Sequence, residues 1–228
     1  MHWTRWWVTV MSWALGLVLA YAVVQLPANP GLWQAVRDGL GDSGVSSPVT
    51  AVLLNFRGYD TLLETGVLLL ALISAWAIGP AHSESHWLPP SAVLLAMIRL
   101  FVPLMVVIGA YLLWQGTHAP GGAFQAGAMF GAAGVLLLIA DTRIAWLPAG
   151  WPLRLLLALG FTNFLAVGLA MLALSGRFLE YLPTYAGDLI KWVEVAATVS
   201  IGVTLIVLFL GGQPEHPIGR DPGAGEEP

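Results

Sequence analysis

Apolar residues along this chain fall into blocks long enough to cross a lipid bilayer as helices, which takes about 20 predominantly apolar residues each. Proline, glycine and charged residues punctuate the stretches between these blocks. The blocks cover residues 3–26, 61–79, 92–114, 123–140, 153–175 and 189–210. The pattern predicts an all-α fold, a polytopic membrane protein with about six transmembrane helices. The first block is longer than the apolar region of a typical signal peptide, so we expect a helix there.

Residues 27–60 break this pattern, because they are too many for a tight connection and too polar to span a bilayer. From Gly31 to Leu40 the apolar residues share one helical face, which is typical of a helix at the membrane surface. Residues 47–56 are apolar again and are interpreted as a re-entrant or partly inserted stretch. The polar loop at 80–90 predicts a boundary between two modules, 1–85 and 86–212. Residues 213–228, rich in Pro, Gly and Glu, are predicted to form a disordered tail.

Composition supports a membrane protein and excludes several other classes. Of the 228 residues, 57% are hydrophobic and 10% are charged, with a mean hydropathy of +0.78, whereas a soluble domain is usually about 25% charged. The net charge of −4 gives no support for nucleic-acid binding. The chain has no cysteine, so disulfides and thiolate metal sites are excluded. His82, Glu84 and His86 lie in a loop without helical spacing, so we predict no metal site and no cofactor.

Ionisable residues inside a span are costly and are functional candidates by default. Asp60 and Glu64 lie one turn apart on the same face of the second predicted span. If the two carboxyls are buried together, they suit proton exchange. Alternatively, Thr61 to Glu64 has the form of a capping box, which would make Glu64 a structural cap near the membrane surface. Spacing alone leaves both interpretations open.

Three further polar features lie in the predicted spans. Lys191 and Glu194 are three residues apart after a predicted N-cap at Asp188, and they form either an interfacial pair or part of an ion route. Arg99 lies about two turns into the third span, where it either snorkels to lipid phosphates or pairs with a carboxylate of a neighbouring subunit. Asn163 lies in mid-span and needs an interhelical partner, either for packing or as a cation ligand.

The fourth predicted span is built from small residues. Ala123, Gly127 and Gly131 recur at every fourth position, and Gly122 begins the neighbouring row. Such rows let helix backbones approach closely. We therefore predict a packing surface for other helices, on which association with partner subunits depends.

Two adjacent stretches resemble the B subunit of Mrp-type sodium/proton antiporters, whose signature reads Gly-His-x-x-Pro-Gly-Gly-Gly-Phe. The first is Arg-Leu-Phe-Val-Pro at 99–103, and the second centres on Gly-Thr-His-Ala-Pro-Gly-Gly-Ala-Phe at 116–124. Thr117 intrudes before the histidine, and Ala123 replaces the third glycine. The last span of that family often carries an acid, and the nearest one here is Glu194. The resemblance covers about residues 90–212, and its motif residues are Arg99, Pro103, His118, Pro120, Gly121 and Phe124.

Residues 49–64 resemble the end of the antiporter A subunit, and equally a small hydrogenase subunit with the motif Asp-Phe-Arg-x-Phe-Asp-Thr-x-Gly-Glu. The matching positions are Arg57, Asp60, Thr61 and Glu64, while Asn55 and Leu63 replace the first acid and the glycine. The chain thus resembles a fusion in which the C-terminal module of an A subunit precedes a B-subunit module, the two meeting near residues 80–90.

These resemblances imply an accessory subunit of an Mrp-like cation/proton antiporter, alone or attached to a complex I-related oxidoreductase such as a hydrogenase. Glu64 would exchange a proton or a sodium ion, Asp60 would tune that site, and Arg57 would pair with it. The implied partners are A-, C- and D-like antiporter subunits, membrane lipid and, in the second case, redox subunits. The implied location is the bacterial inner (cytoplasmic) membrane, and no catalytic site is expected. The alternative is a structural spacer that bridges pumping subunits without binding ions.

Overall fold

The computed structural model describes residues 2–25, 32–78, 91–140 and 147–211. Within these ranges the chain forms helices and turns without strands, which confirms the all-α prediction. A 3₁₀ turn covers Leu40–Asp42, and a π-helical segment covers Ala51–Phe56. The α-helices are α1 (His2–Val24), α2 (Trp33–Gly39), α3 (Pro48–Thr50), α4 (Gly58–Ile78), α5 (Ala92–Gln115), α6 (Ala123–Ile139), α7 (Trp151–Ser175) and α8 (Ala186–Leu210).

Five described helices are long and apolar enough to cross a membrane, namely α1, α4, α5, α7 and α8. Helix α6 has 17 residues, which is the lower end of the length that spans a bilayer. These helices match the six apolar blocks, and a polytopic membrane protein is confirmed. Helix α8 begins at Ala186 after an N-cap at Tyr185, so the predicted N-cap role of Asp188 is wrong and this carboxylate lies in the first turn.

The segment before the second span is helical in two places. The predicted helix from Gly31 to Leu40 is present as α2, and its location at a membrane surface stays a prediction. The apolar stretch 47–56 forms α3, capped by the Ser47 hydroxyl, and continues directly into the π-helical segment. The chain then leaves helical geometry at Arg57 (φ −127°, ψ 34°) before α4 begins. A break of this kind separates α3 and the π-helical segment from the long helix α4.

The chain divides after Arg37 into two compact units. In the first unit, α1 exposes every side chain from Trp6 to Val24. The Arg37 guanidinium lies over the Trp33 ring at 4.8 Å from its centroid, a cation–π contact within one short helix.

Helix α8 is the central helix of the second unit. In its most apolar stretch 67% of the residues are buried, against 28% or less for the other membrane-length helices. Helices α6 and α7 pack on it most extensively, and α4 and α5 contact it at their edges. Between α7 and α8 the Ser200 hydroxyl donates to the Leu157 carbonyl at 2.5 Å. The central stretch of α8 is therefore surrounded by other helices of the chain on most sides.

Three sequence predictions fall outside the described residues. They are the module boundary at 80–90, the alternative metal site at His82, Glu84 and His86, and the disordered tail 213–228.

Candidate ion site

The loop that joins α5 to α6, residues 116–122, is named the glycine loop and folds back over the end of α5. The Gly122 amide donates to the Leu112 carbonyl at 3.0 Å, and a Cβ at Gly121 would lie only 2.6 Å from the same carbonyl oxygen. Gly122 has φ +109°, a backbone conformation that side-chain-bearing residues rarely adopt. Glycine is therefore required at both positions for the loop to take this path.

Glu194 of α8 lies directly beneath this loop. Its side chain is 3% exposed. A Cβ added at Gly116 or Gly122 would lie 2.8 or 2.5 Å from the Glu194 Oε1. The missing side chains of these two glycines thus provide the space that the carboxyl group fills. Among the described residues, no hydrogen bond or ion pair is made by the carboxyl group.

The predicted Lys191–Glu194 pair does not form. Lys191 is exposed whereas Glu194 is buried, and no contact within 4.0 Å joins the two charged groups. The two residues are neighbours on the surface of α8, but Glu194 is covered by the packed helices and the loop while the Lys191 side chain extends into the exposed region at the beginning of the helix. Lys191 therefore acts on Glu194 as a nearby positive charge and not as an ion-pair partner.

The segment at α3 is hydrogen-bonded to the same loop. The amides of Ser46 and Ser47 donate to the Thr117 carbonyl at 3.0 and 3.1 Å, and the Ser46 hydroxyl donates to the same oxygen at 3.2 Å. The Thr50 hydroxyl donates to the Gly116 carbonyl. These bonds join positions about 70 residues apart in sequence, so α3 and the glycine loop form one structural element over the Glu194 carboxyl group.

Glu64 does not act as a helix cap. Helix α4 begins at Gly58, so Thr61 lies inside its first turn. The Thr61 hydroxyl donates to the Leu53 carbonyl at 2.6 Å and accepts no hydrogen bond from a free amide of α4 within the described chain. The capping-box interpretation is therefore wrong. Glu64 lies one turn further along α4 with an exposed side chain, and the neighbouring Asp60 forms an exposed ion pair with Arg57.

A cavity of about 180 Å³ brings the two glutamates together. It lies among α3, the π-helical segment and the beginnings of α4 and α6, and Glu194 closes it from α8. Its polar side chains are those of Thr50, Thr61, Glu64, Gln125 and Glu194. A small cavity in which carboxyl, hydroxyl and amide groups lie among apolar side chains can hold a proton or a cation beside a carboxylate.

A larger apolar groove of about 720 Å³ adjoins this cavity. Glu64 and Phe124 line both spaces. Helix α8 forms the floor of the groove through Ile201 and Leu205, and α4 and α6 form its walls. Glu64 therefore stands where the inner cavity meets the outer surface of the bundle.

Other predicted site residues lie away from this cavity. Arg99 and Pro103 are exposed on α5, and Pro120 is exposed in the loop. His118 is exposed as well, with its Nδ1 2.8 Å from the Thr117 hydroxyl. The buried Oδ1 of Asn163 has no hydrogen-bond partner among the described residues. The interhelical partner predicted for Asn163 is thus not found within the described chain.

The small-residue row of α6 packs against α8 of the same chain. A Cβ at Gly127 would lie 2.8 Å from the Ile201 Cβ, and a Cβ at Gly131 would lie 2.8 Å from the Leu205 Cβ. Ala123 belongs to a buried cluster with Ala197 and Ile201. Close helix packing is confirmed, but the surface is occupied inside the chain and is not available to a partner subunit.

Sequence reasoning missed three residues of the site. Thr50 and Gln125 line the cavity, and Gly116 makes room for the Glu194 carboxyl group. Polar residues within apolar segments gave a usable signal for Thr50 and Gln125. Nothing in the sequence around Gly116 indicates that it faces a residue 78 positions later, because that contact depends on the packing of α8.

Among the described residues, no group of three or more His, Cys, Asp or Glu side chains is arranged to hold a metal ion. The apolar helices and the buried acidic cavity define a polytopic membrane protein with a carboxylate site inside its helix bundle.

Residues 93–211 match the family described as "Domain related to MnhB subunit of Na+/H+ antiporter". This match covers more than half of the chain, and the chain belongs to this family.

Similar proteins extend the comparison beyond the family domain. An uncharacterized protein of Methanocaldococcus jannaschii is 25% identical in an alignment of 194 positions that covers 75% of this chain and 72% of that protein. A chain in the structure of the Mrp complex from Dietzia sp. DQ12-45-1b matches 93% of this chain with a TM-score of 0.66 and 24% identity. This chain spans only 26% of that longer chain.

A second solved structure is the membrane-bound sulfane sulfur reductase, described as an archaeal respiratory membrane complex. One of its chains matches 90% of this chain with a TM-score of 0.64 and 22% identity, and 96% of that chain is covered. The two structural matches establish a fold shared with chains of multi-subunit membrane complexes.

Proposed function

We propose that this chain is an accessory subunit of an Mrp-like cation/proton antiporter module and that its acidic cavity is part of the ion path. The observation that carries the proposal is a cavity that both Glu64 and Glu194 line. Membership of the MnhB-related family and the fold shared with a chain of the Dietzia Mrp complex support it. Its partners are then A-, C- and D-like antiporter subunits in the bacterial cytoplasmic membrane.

The chemistry of the path follows from the burial of Glu194. A carboxylate in a low-dielectric interior is stable only when it is protonated or paired with a cation. Glu194 forms no ion pair with the described residues and is 3% exposed, so a proton or a mobile cation is the compensating partner. Glu64 lies at the opening of the cavity and supplies the outer carboxylate for exchange. Arg57 and Asp60 form a neutral pair beside it.

The two-module organisation is part of the same proposal. A region of one Dietzia chain matches 93% of this chain, which includes the segment before residue 86 as well as the MnhB-related domain. This continuity supports a module at 1–85 that resembles the C-terminal end of the A subunit, followed by a B-subunit-like module at 86–212. The match to a chain of the archaeal respiratory complex supports the same module working beside redox subunits.

The second candidate function is a spacer that joins larger subunits without touching the ion. The observation in its favour is the outer surface of α5, of which only 11% is buried in its most apolar stretch. Arg99 is exposed on this surface, where it would pair with a carboxylate of a neighbouring subunit or reach lipid phosphates. A spacer needs such surfaces but does not need a cavity with two carboxylates.

The decisive experiment replaces each acid with its uncharged isostere in the intact complex. Glu194→Gln and Glu64→Gln are introduced into the tagged chain, and complexes purified in mild detergent are reconstituted into liposomes. Sodium-dependent proton flux is then measured with a pH-sensitive dye. Glu180→Gln is the matched control, because Glu180 is an exposed acid in the α7–α8 loop, away from the cavity, and pairs with exposed Arg177.

We expect both cavity variants to lose at least about 90% of the flux and Glu180→Gln to retain it, with the set of co-purifying proteins unchanged in Glu194→Gln. Flux that survives both cavity substitutions would refute the ion-path role and favour the spacer. The proteins that co-purify also test the setting, because antiporter-like subunits alone indicate an antiporter, and iron–sulfur or nickel–iron subunits indicate a redox-driven complex.

A further inference from the structure

We propose that the groove between α4 and α6 receives a transmembrane helix of another subunit that places a lysine or arginine side chain beside Glu64. The proposal concerns assembly and stands whether or not Glu64 takes part in ion exchange. It rests on the shape of the groove, on its charges and on the position of Glu64 along α4.

The length and width of the groove are suited to binding a helix. Its α4 wall runs from Asp60 to Ala71, which is about 16 Å or three helical turns. Ala128 on the opposite wall and Ala71 keep the groove wide along its length, and Leu205 contributes to the floor. Its volume of about 720 Å³ is four times that of the inner cavity, and the lining is apolar except at the end near Asp60 and Glu64.

The charge at that end is unbalanced. Asp60 and Glu64 are the two ionisable residues of the lining. Asp60 is satisfied by Arg57, but Glu64 makes no hydrogen bond or ion pair with any described residue. Its side chain is exposed on a helix of membrane length. Carboxylates in such helices face protein or water and pair with a cationic group, because hydrocarbon does not solvate them.

The partner is therefore defined by two features of chemistry. It is an apolar helix, because the groove beyond Glu64 offers only apolar side chains such as Val67 and Leu68. It carries a basic residue at the depth of Glu64, because that is where the unpaired carboxylate lies. An anionic phospholipid satisfies the first feature only, since its headgroup is repelled by Asp60 and Glu64.

Site-specific photocrosslinking in native membranes tests the proposal. A benzoylphenylalanine at position 67 replaces Val67, which is exposed in the groove. The matched control carries the probe at Ile73, which is similarly exposed and outside the groove lining, about 120° around the helix from Val67. Both proteins are checked for a monodisperse complex before irradiation, and crosslinked peptides are identified by mass spectrometry.

We expect the probe at position 67 to crosslink to a membrane-spanning peptide of another subunit with a lysine or arginine within one turn of the crosslink. The same crosslink should be at least about fivefold weaker from position 73. Glu64→Lys should reduce it at least about fivefold, and replacing the partner's basic residue with glutamate should restore it in the Glu64→Lys background.

Several results would overturn the proposal. Adducts with lipid alone, with a second copy of this chain or with residues 1–25 of the same chain would each identify a different occupant. A crosslinked partner without a basic residue, or a yield unchanged by Glu64→Lys, would remove the charge pairing. These outcomes are independent of ion flux, so failure of this proposal and failure of the ion-path role can be distinguished.

Discussion

Replacing Gly127 with leucine should destabilise the chain itself before it affects any partner. The Cβ of a side chain at this position would lie 2.8 Å from both the Cβ and the Cγ2 of Ile201, and 3.2 Å from the Thr198 carbonyl oxygen. Carbon atoms normally pack at about 3.5–4.0 Å. Helices α6 and α8 must therefore separate by close to an ångström along this row.

The magnitude follows from two opposing effects. Overpacking a close-packed interface costs about 1–3 kcal/mol, and leucine should reach the upper end because three more carbons follow the Cβ. Replacing glycine inside a helix regains about 0.8 kcal/mol of propensity. The net loss should be about 2 kcal/mol, which corresponds to a fall in Tm of about 4–8 °C for a chain of this length.

Tryptophan fluorescence during heating in mild detergent measures this shift on the purified chain. Ala132→Leu is the control, because Ala132 lies on the same helix with an exposed side chain. A Tm for Gly127→Leu within 2 °C (about half of the smallest expected shift) of the Ala132→Leu value would refute the packing argument. Loss of partner subunits at an unchanged Tm would instead restore the prediction that this row contacts other subunits.

Three further predictions use the loop and its surroundings. Gly122→Ala should lower the free energy of unfolding by about 1–3 kcal/mol from the positive φ alone, which thermal unfolding measures. It should also abolish ion flux in liposomes, because the alanine Cβ would meet the Glu194 carboxyl group. Thr50→Val should cost about 1 kcal/mol by removing the hydrogen bond to Gly116, and limited proteolysis should cut the α5–α6 loop faster. Burial raises the pKa of the Tyr181 hydroxyl above its usual range, so the unfolded chain loses this proton first, and stability should fall as pH rises above about 10. Tyr181→Phe should flatten that decline and leave stability at pH 7 unchanged or slightly higher, since the buried hydroxyl has no hydrogen-bond partner among the described residues.

The apolar blocks were sufficient to predict the long helices, because a bilayer imposes both their length and their composition. Helix α2 was also predictable from its apolar face. The beginnings of α4 and α8 were less predictable, each being three residues earlier than expected. At α4 this difference decided whether Glu64 is a helix cap. Thr61 lies inside the helix and bonds to Leu53, so the capping box that its spacing suggests cannot form.

The individual acidic residues of the candidate site were predictable from the sequence, but their meeting in one cavity was not. Glu64 and Glu194 were both conspicuous as acids in apolar segments, yet they are 130 positions apart and belong to different predicted modules. Local spacing paired Glu194 with Lys191 instead. The two residues do lie on neighbouring positions of α8, but the helices and the loop around α8 bury Glu194 and leave Lys191 exposed, so the charged groups do not meet. Tertiary packing, which periodicity does not encode, determines which acid meets which.

The glycine loop contacts both the segment that leads to Glu64 and the Glu194 carboxyl group. Its backbone accepts hydrogen bonds from Ser46, Ser47 and Thr50 on one side, and its glycines contact the Glu194 carboxyl group on the other. The segment that carries these donors leads through the π-helical turn directly into α4, which carries Glu64. A displacement at either acid therefore acts on the same loop. Main-chain contacts and the shared cavity thus connect the surroundings of both carboxyl groups. If the proposed ion path is correct, a substitution in the loop should alter ion exchange at both.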